Sequence, residues 1–172
     1  DEAGNNTRAD FDFRVFPKPF KRSRINLDDK LIDRVVPAIL EGTTEVNAEG
    51  DNLAKFLVIN GELRRKNAEK IASFAAGTSP EMLWGGQVFH PFSNTAVESA
   101  FADQRTYIYK GKEVDQQVHL GFDLASYAGT PIVAANRGKV LFADELGIYG
   151  NCVIIDHGMG VQSLYAHLSS MD

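Results

Sequence analysis

Four histidines, one cysteine and the carboxylates near them are the side chains with which this chain could bind a metal or move a proton. His119 is set apart by its neighbour. In "QVHLGFDLAS" Asp123 follows four residues later, with Gly121 and Phe122 between them. On a straight strand, steps of about 3.3 Å would hold the two about 13 Å apart, too far to share an ion. A helix would bring them together, but "HLGFDLASYAGTP" carries an internal glycine, aromatics and a Gly-Thr-Pro stop. That is poor helix material. What remains is a bend at Gly121, where the chain enters a strand, aiming an imidazole and a carboxylate at one point. The pattern points to a metal site.

The other candidates are weaker as bare residues. His167, in "SLYAHLSS", lies on an apolar strand, where an imidazole without a partner is costly. Strand alternation places it with Tyr165 on one face and Leu164, Ala166 and Leu168 on the other. His157, in "DHGMG", reads as a turn residue between two strands, and His90, before Pro91, as structural. Cys152 sits in the apolar run "NCVIIDHG" and reads as a buried thiol rather than a nucleophile. A single cysteine rules out an intrachain disulfide.

The 172 residues suffice for one well-filled domain, or one with a small partner. No run approaches the roughly 18 apolar residues of a membrane span. A net charge of −5, with no basic stripe, argues against a nucleic-acid partner. The polar start "DEAGNNTRAD" reads as a trimmed edge, so an export signal or membrane anchor is expected outside these residues. Up to about Gly86 the texture is helical and extended. "FDFRVFPKPFKRSRINL" alternates in short pieces broken by Pro17 and Pro19. Asn26 or Asp28 can cap a short helix with Leu31, Val35 and Ile39 on one stripe, its last turn made irregular by Pro37. Asp51 or Asn52 opens a longer helix to about Phe74, weakened by Gly61, with Leu53, Phe56, Leu57, Leu63 and Ile71 as its packing face. From Phe89 onward short β-rich runs alternate with glycine turns: "TPIVAAN", "RGKVLFADE", "GNCVIIDHG" and "MGVQSLYAHLS". These indicate an antiparallel meander or barrel. The class is α+β, with residues 1–86 and 87–172 as two units joined near Gly85-Gly86.

"HLGFDLA" resembles the His-x-x-x-Asp signature of the lysostaphin/LytM-type zinc endopeptidases that cut peptidoglycan cross-links. The flanks resemble the family too. "SAFADQR" is similar to its Ser-x-Phe-Gly-x-Arg lead-in, with Ala102 where glycine is usual and one residue more before Arg105. "GTPIVAANRGKVLFA" is similar to its Gly-Thr-Pro-Val-x-Ala and Gly-x-Val strands. "GNCVIIDHGMGVQSLYAHLS" is similar to the run that ends at its Tyr-x-His-Leu element. The likeness covers roughly residues 90–172. It is vaguer over the first half, which looks like the segment preceding the peptidase domain in envelope-bound Gram-negative members.

The resemblance implies a duplicated-hybrid-motif-like β-barrel or sandwich for residues 87–172, while the separate texture of residues 1–86 and the Gly85-Gly86 joint lead to the expectation of an accessory domain packed beside its cleft and restricting access to it. It implies zinc as cofactor, His119 and Asp123 as ligands and His167 as the catalytic histidine. Arg105 matches the lead-in arginine, in a structural or substrate-facing role, whereas the extended "TYIYKGKEVDQQ" departs from the short-loop members, so the resemblance assigns the active-site tyrosine to neither Tyr107 nor Tyr109. The implied substrate is a peptide bond in a peptidoglycan stem or cross-link, in the periplasm or cell envelope. The family's His-x-His element, source of the third ligand and a second catalytic histidine, does not occur before Asp172. The expectation is therefore a fragment whose continuation supplies that element and the closing strands. The rival expectation is a non-catalytic module that binds the wall or activates amidases. A β-barrel carrier with coincidental histidines is the bland alternative.

Overall fold

The computed structural model describes residues 3–4 and 6–171. The reading of residues 1–10 as a trimmed edge, and the end at Asp172, fall partly outside them. The fold begins with strand β1 (Arg22–Leu27), preceded by an exposed irregular stretch that includes both prolines. β1 runs parallel to β3 (Asp103–Tyr109), which pairs antiparallel with β4 (Lys112–His119). The turn between β3 and β4 is Lys110-Gly111, at φ 47° and 79°. Two positive-φ residues are what a two-residue hairpin needs to match strand twist.

Two helices and the turn that follows the second cover this sheet, and a third helix continues from that turn. α1 (Asp29–Glu41) starts at Asp28, whose carboxylate accepts the Leu31 N–H at 2.7 Å. Its buried stripe is Ile32 and Val36, one residue round from the expected Leu31, Val35 and Ile39, which are half-buried. Pro37 lies on the exposed side, and the helix runs past it to Glu41. α2 (Asn52–Val58), capped by Asp51, continues through a π turn (Ile59–Leu63) into α3 (Arg64–Ser73). Gly61 sits inside that π turn, where one extra residue is absorbed without ending the helix. The turn also aims buried Asn60 at the sheet, its Nδ2 donating to Asp115 Oδ2 at 2.6 Å.

Two further sheets follow. β2 (Ala96–Ser99) pairs with β5 (Asp123–Ala125), and β6 (Lys139–Glu145), β7 (Asn151–Gly158) and β8 (Val161–Leu168) form an antiparallel meander. The protein is thus α+β with mostly antiparallel sheets. The run "TPIVAAN" forms no strand among the described residues. No neighbouring strand pairs with it there, and Ile132 and Val133 remain exposed.

The packing crosses the position expected as the division. Leu27, Ile32, Val36, Phe56, Ile59 and Leu63 share one core with Tyr107, and Tyr109, Val114 and Ile148 pack against it. Ile71 and Phe74 join a second core with Leu146, Cys152 and Ile154. Buried Asn67 of α3 accepts the Ile148 N–H at 3.0 Å. Both sheet pairing and burial therefore join residues before and after Gly86. Among the described residues no helix is long and apolar enough to cross a membrane.

Candidate metal centre

β4 ends at His119, the chain turns over Leu120-Gly121-Phe122, and β5 starts at Asp123. His119 Nε2 lies 3.1 Å from Asp123 Oδ1. The other imidazole nitrogen, Nδ1, lies 3.2 Å from the Ala100 carbonyl. A carbonyl only accepts, so Nδ1 carries the proton and donates. In the neutral form of the ring, the Nε2 lone pair then faces a carboxylate oxygen. Two lone pairs at 3.1 Å repel unless a cation lies between them, whether a proton or a metal ion. An imidazole with its far N–H held by a carbonyl, beside a carboxylate, is a donor set that suits zinc.

Asp123 is half-exposed and its second oxygen is also engaged. Oδ2 accepts from Arg105 Nη2 at 3.1 Å, and the same nitrogen donates to buried Ser99 at 2.6 Å. Arg105 Nε lies 3.6 Å from Asp103 Oδ2, and the Ser23 hydroxyl donates to that buried carboxylate at 2.9 Å. Sequence reasoning passed over Asp103 and Ser23, and met Ser99 only as the first residue of the lead-in motif. Strand alternation through "DQR", which sets Asp103 and Arg105 on one face, was the available signal. Among the described residues no third His, Cys, Asp or Glu joins His119 and Asp123.

His167 stands in the other sheet, exposed, with no hydrogen bond or ion pair to His119 or Asp123 among the described residues. The simple alternation expected for it fails. Between the pairs Val153–Tyr165 and Asn151–Leu168, β8 holds one residue more than β7, and His167 adopts φ 58° in that bulge. Two in-register steps separate Tyr165 from His167 only on an unbulged strand, so the shared face inferred for them does not hold.

His157 is not a turn residue. It is fully buried inside β7, the extra residue of a second bulge between the pairs Asp156–Gln162 and Gly158–Val161. Its Nδ1 lies 2.7 Å from the Arg137 carbonyl and its Nε2 2.8 Å from the Ser163 hydroxyl, with Phe89 edge-on to the ring. Both nitrogens are satisfied, so it is a structural histidine. His90 is exposed, and its N–H donates to the Ala135 carbonyl at 3.0 Å. Cys152 is fully buried, and burial pushes its thiol up to about 11, which leaves it unreactive near neutral pH. Tyr107 is a core residue against Phe56, and the Tyr109 hydroxyl donates to Asp29, so the structure ties neither to the His119–Asp123 pair.

Residues 117–172 match Peptidase family M23. Over 86 residues, half of this chain, the sequence is 37% identical to the DD-carboxypeptidase/endopeptidase Mpg of Neisseria meningitidis serogroup B (strain MC58), a stretch covering 19% of that protein. It is 40% identical over 52 residues to the uncharacterized lipoprotein YgeR of Escherichia coli (strain K12), covering 30% of this chain and 21% of YgeR. It is also 42% identical over 50 residues to the lipoprotein NlpD of Yersinia enterocolitica, covering 28% of this chain and 52% of NlpD. The chain spans about a fifth of the length of Mpg and YgeR. The stretch that matches Peptidase family M23 is about the last third of the chain, and it contains His119, Asp123 and His167.

Proposed function

We propose that the protein is a zinc-dependent endopeptidase that cuts peptide bonds in bacterial cell-wall peptidoglycan, with His119 and Asp123 as metal ligands and His167 as the catalytic histidine. One observation carries the reading: in the M23-matched stretch the bend sets His119 Nε2 and Asp123 Oδ1 3.1 Å apart, where both could reach one ion. The similarity to Mpg, named a DD-carboxypeptidase/endopeptidase, supports the substrate class.

When bound, zinc supplies Lewis-acid chemistry, polarising a carbonyl and acidifying water. The chain's own residues do the rest. Ala100 holds the His119 ring in the Nε2-accepting tautomer, and Asp123 offers one oxygen to the same point. A third ligand, expected from the family's His-x-His element, would complete the set. His167 would hold or move a proton at its imidazole beside the reacting carbonyl. Leu120 and Phe122, exposed on either side of the bend, give an extended peptide an apolar surface next to the ligands. In this reading residues 87–172 form the barrel or sandwich of the peptidase, residues 1–86 are its accessory part, and the protein works in the periplasm or cell envelope.

The test uses the whole protein, purified sacculi, chromatography of the released fragments and metal analysis. His119→Ala should lose both zinc and cleavage. His167→Ala should keep zinc and fold but lose about 10²–10⁴-fold in rate, the usual worth of a positioned acid–base group. Zinc retained by His119→Ala, or cleavage untouched in His167→Ala, overturns the assignment. Sacculus binding without cleavage by the wild type would identify the non-catalytic module instead.

A further inference from the structure

We propose that Arg105 is a positioning residue for the metal centre, and that Ser23 and Asp103 hold it in place, so that the N-terminal strand is wired to Asp123. This rests on reading His119 and Asp123 as ligands. The geometry is specific. Arg105 Nη2 is shared between Ser99 Oγ at 2.6 Å and Asp123 Oδ2 at 3.1 Å, which leaves Oδ1 facing His119. Asp123 and Ser99 are cross-strand partners in the β2–β5 pair, Asp103 and His119 in the β3–β4 pair, and Ser23 and Arg105 in the β1–β3 pair. The guanidinium therefore links the sheet that ends in His119 to the small sheet that begins with Asp123. No backbone pairing joins those two sheets among the described residues.

The link matters because Asp123 is half-exposed, with a carboxylate free to rotate if nothing grips it. Fixing Oδ2 leaves a single orientation for Oδ1 and removes the ordering cost from metal binding. A positive charge next to a cation-binding pair works the other way, by repulsion. Asp103 answers this. It is a buried carboxylate 3.6 Å from Arg105 Nε, and that nitrogen is buried without a hydrogen-bond partner among the described residues. Its charge offsets the guanidinium, and the Ser23 hydroxyl anchors it from β1. Orientation is then the dominant effect, and a lysine with the same charge but no planar fork cannot reproduce it.

The experiment measures zinc affinity of the whole protein by chelator competition, alongside the melting temperature of the metal-free form. Arg105→Met should weaken zinc by about 10–100-fold, the usual cost of losing a group that orients a ligand. Arg105→Lys should recover only part of this loss. Asp103→Asn should weaken zinc in the wild-type background and add nothing in the Arg105→Met background, because it acts through the arginine. Wild-type affinity in a folded Arg105→Met or Arg105→Lys variant overturns the proposal, and so does a full additive loss in the double variant. Where Arg105→Met does not fold, the Arg105→Lys and Asp103→Asn affinities decide alone. His119→Ala and Asp123→Ala are run beside them. If those two retain wild-type zinc affinity, the ligand reading itself fails, whereas their loss of zinc with unchanged affinity in the arginine variants sinks only the positioning role.

Discussion

Ala102 occupies a position at φ 62°, in the left-handed region, while its N–H donates to the His119 carbonyl at 2.7 Å. That conformation costs an L-residue about 1–2 kcal/mol, more than the few tenths to 1 kcal/mol that a glycine adds to the entropy of the unfolded chain. Ala102→Gly should therefore raise stability by about 0.5–1 kcal/mol, read as a higher urea midpoint with unchanged slope. Asp156 makes the opposite kind of case. Burial pushes its carboxyl upward, but donors from the Ser79 N–H, the Thr78 hydroxyl and the Gly158 N–H, together with His157, outweigh it and hold the group below its ordinary 3.8. A carboxyl lowered on folding contributes stability that is fully present above its unfolded value and is lost as pH falls through its folded one. The wild type should accordingly lose stability steeply below pH 3.8. Asp156→Asn, which leaves a buried donor unmet, should be weaker by about 2–3 kcal/mol at pH 7 and should show a shallower acid limb. Parallel limbs in urea titrations at several pH values would refute this.

The elements around Asp156 are clipped together by backbone. Residues 78–83 lie along the end of β7, with the Leu83 N–H donating to the His157 carbonyl at 2.8 Å and the Met159 N–H to the Ser79 carbonyl at 2.7 Å. Gly158, at φ 88°, is where this strap passes closest. A Cβ there would sit 1.8 Å from the Glu81 carbonyl oxygen. Gly158→Ala thus combines backbone strain with a clash against main chain that no rotamer change relieves. It should cost more than about 3 kcal/mol, the upper end of ordinary overpacking, and release the strap. Hydrogen exchange at the Leu83 and Met159 amides reads this directly, and protection equal to wild type would contradict it.

At the scale of the molecule, the parallel pairing of β1 with β3 and the shared first core determine what can be separated. A chain beginning at residue 87 would leave β3 without one neighbour and uncover Tyr107, Tyr109, Val114 and Ile148. Each large apolar side chain returned to water forfeits about 1.5–3 kcal/mol, and their total is comparable with the 5–15 kcal/mol by which domains are stable. The fragment 87–172 should therefore be molten or insoluble, while the 172-residue chain gives dispersed amide spectra. A folded, cooperatively melting 87–172 fragment would instead make the proposed division at residue 86 a true domain boundary.

The local chemistry was legible in the sequence because it depends on near neighbours. The bend at Gly121, the helix starts (at Asn26 or Asp28 and at Asp51 or Asn52, where the structure uses Asp28 and Asp51), the β6–β8 runs and the buried thiol of Cys152 all follow from spacing, turn chemistry and apolar runs a few residues long. Where the outcome depended on a distant partner, the sequence was silent. "TPIVAAN" has strand composition, yet a strand needs a ladder, and among the described residues none is beside it. His157 reads as a turn residue from its glycine-rich context and His167 is placed by a period of two, but each lies in a bulge of β7 or β8, and a bulge is set by how two strands accommodate each other. Ser23, Asp103 and Arg105 span about half the chain in sequence but meet beside Asp123 only after β1 has docked on β3. Such contacts are decided by the tertiary structure, because the free energy that fixes them comes from burying surfaces far apart in sequence against one another.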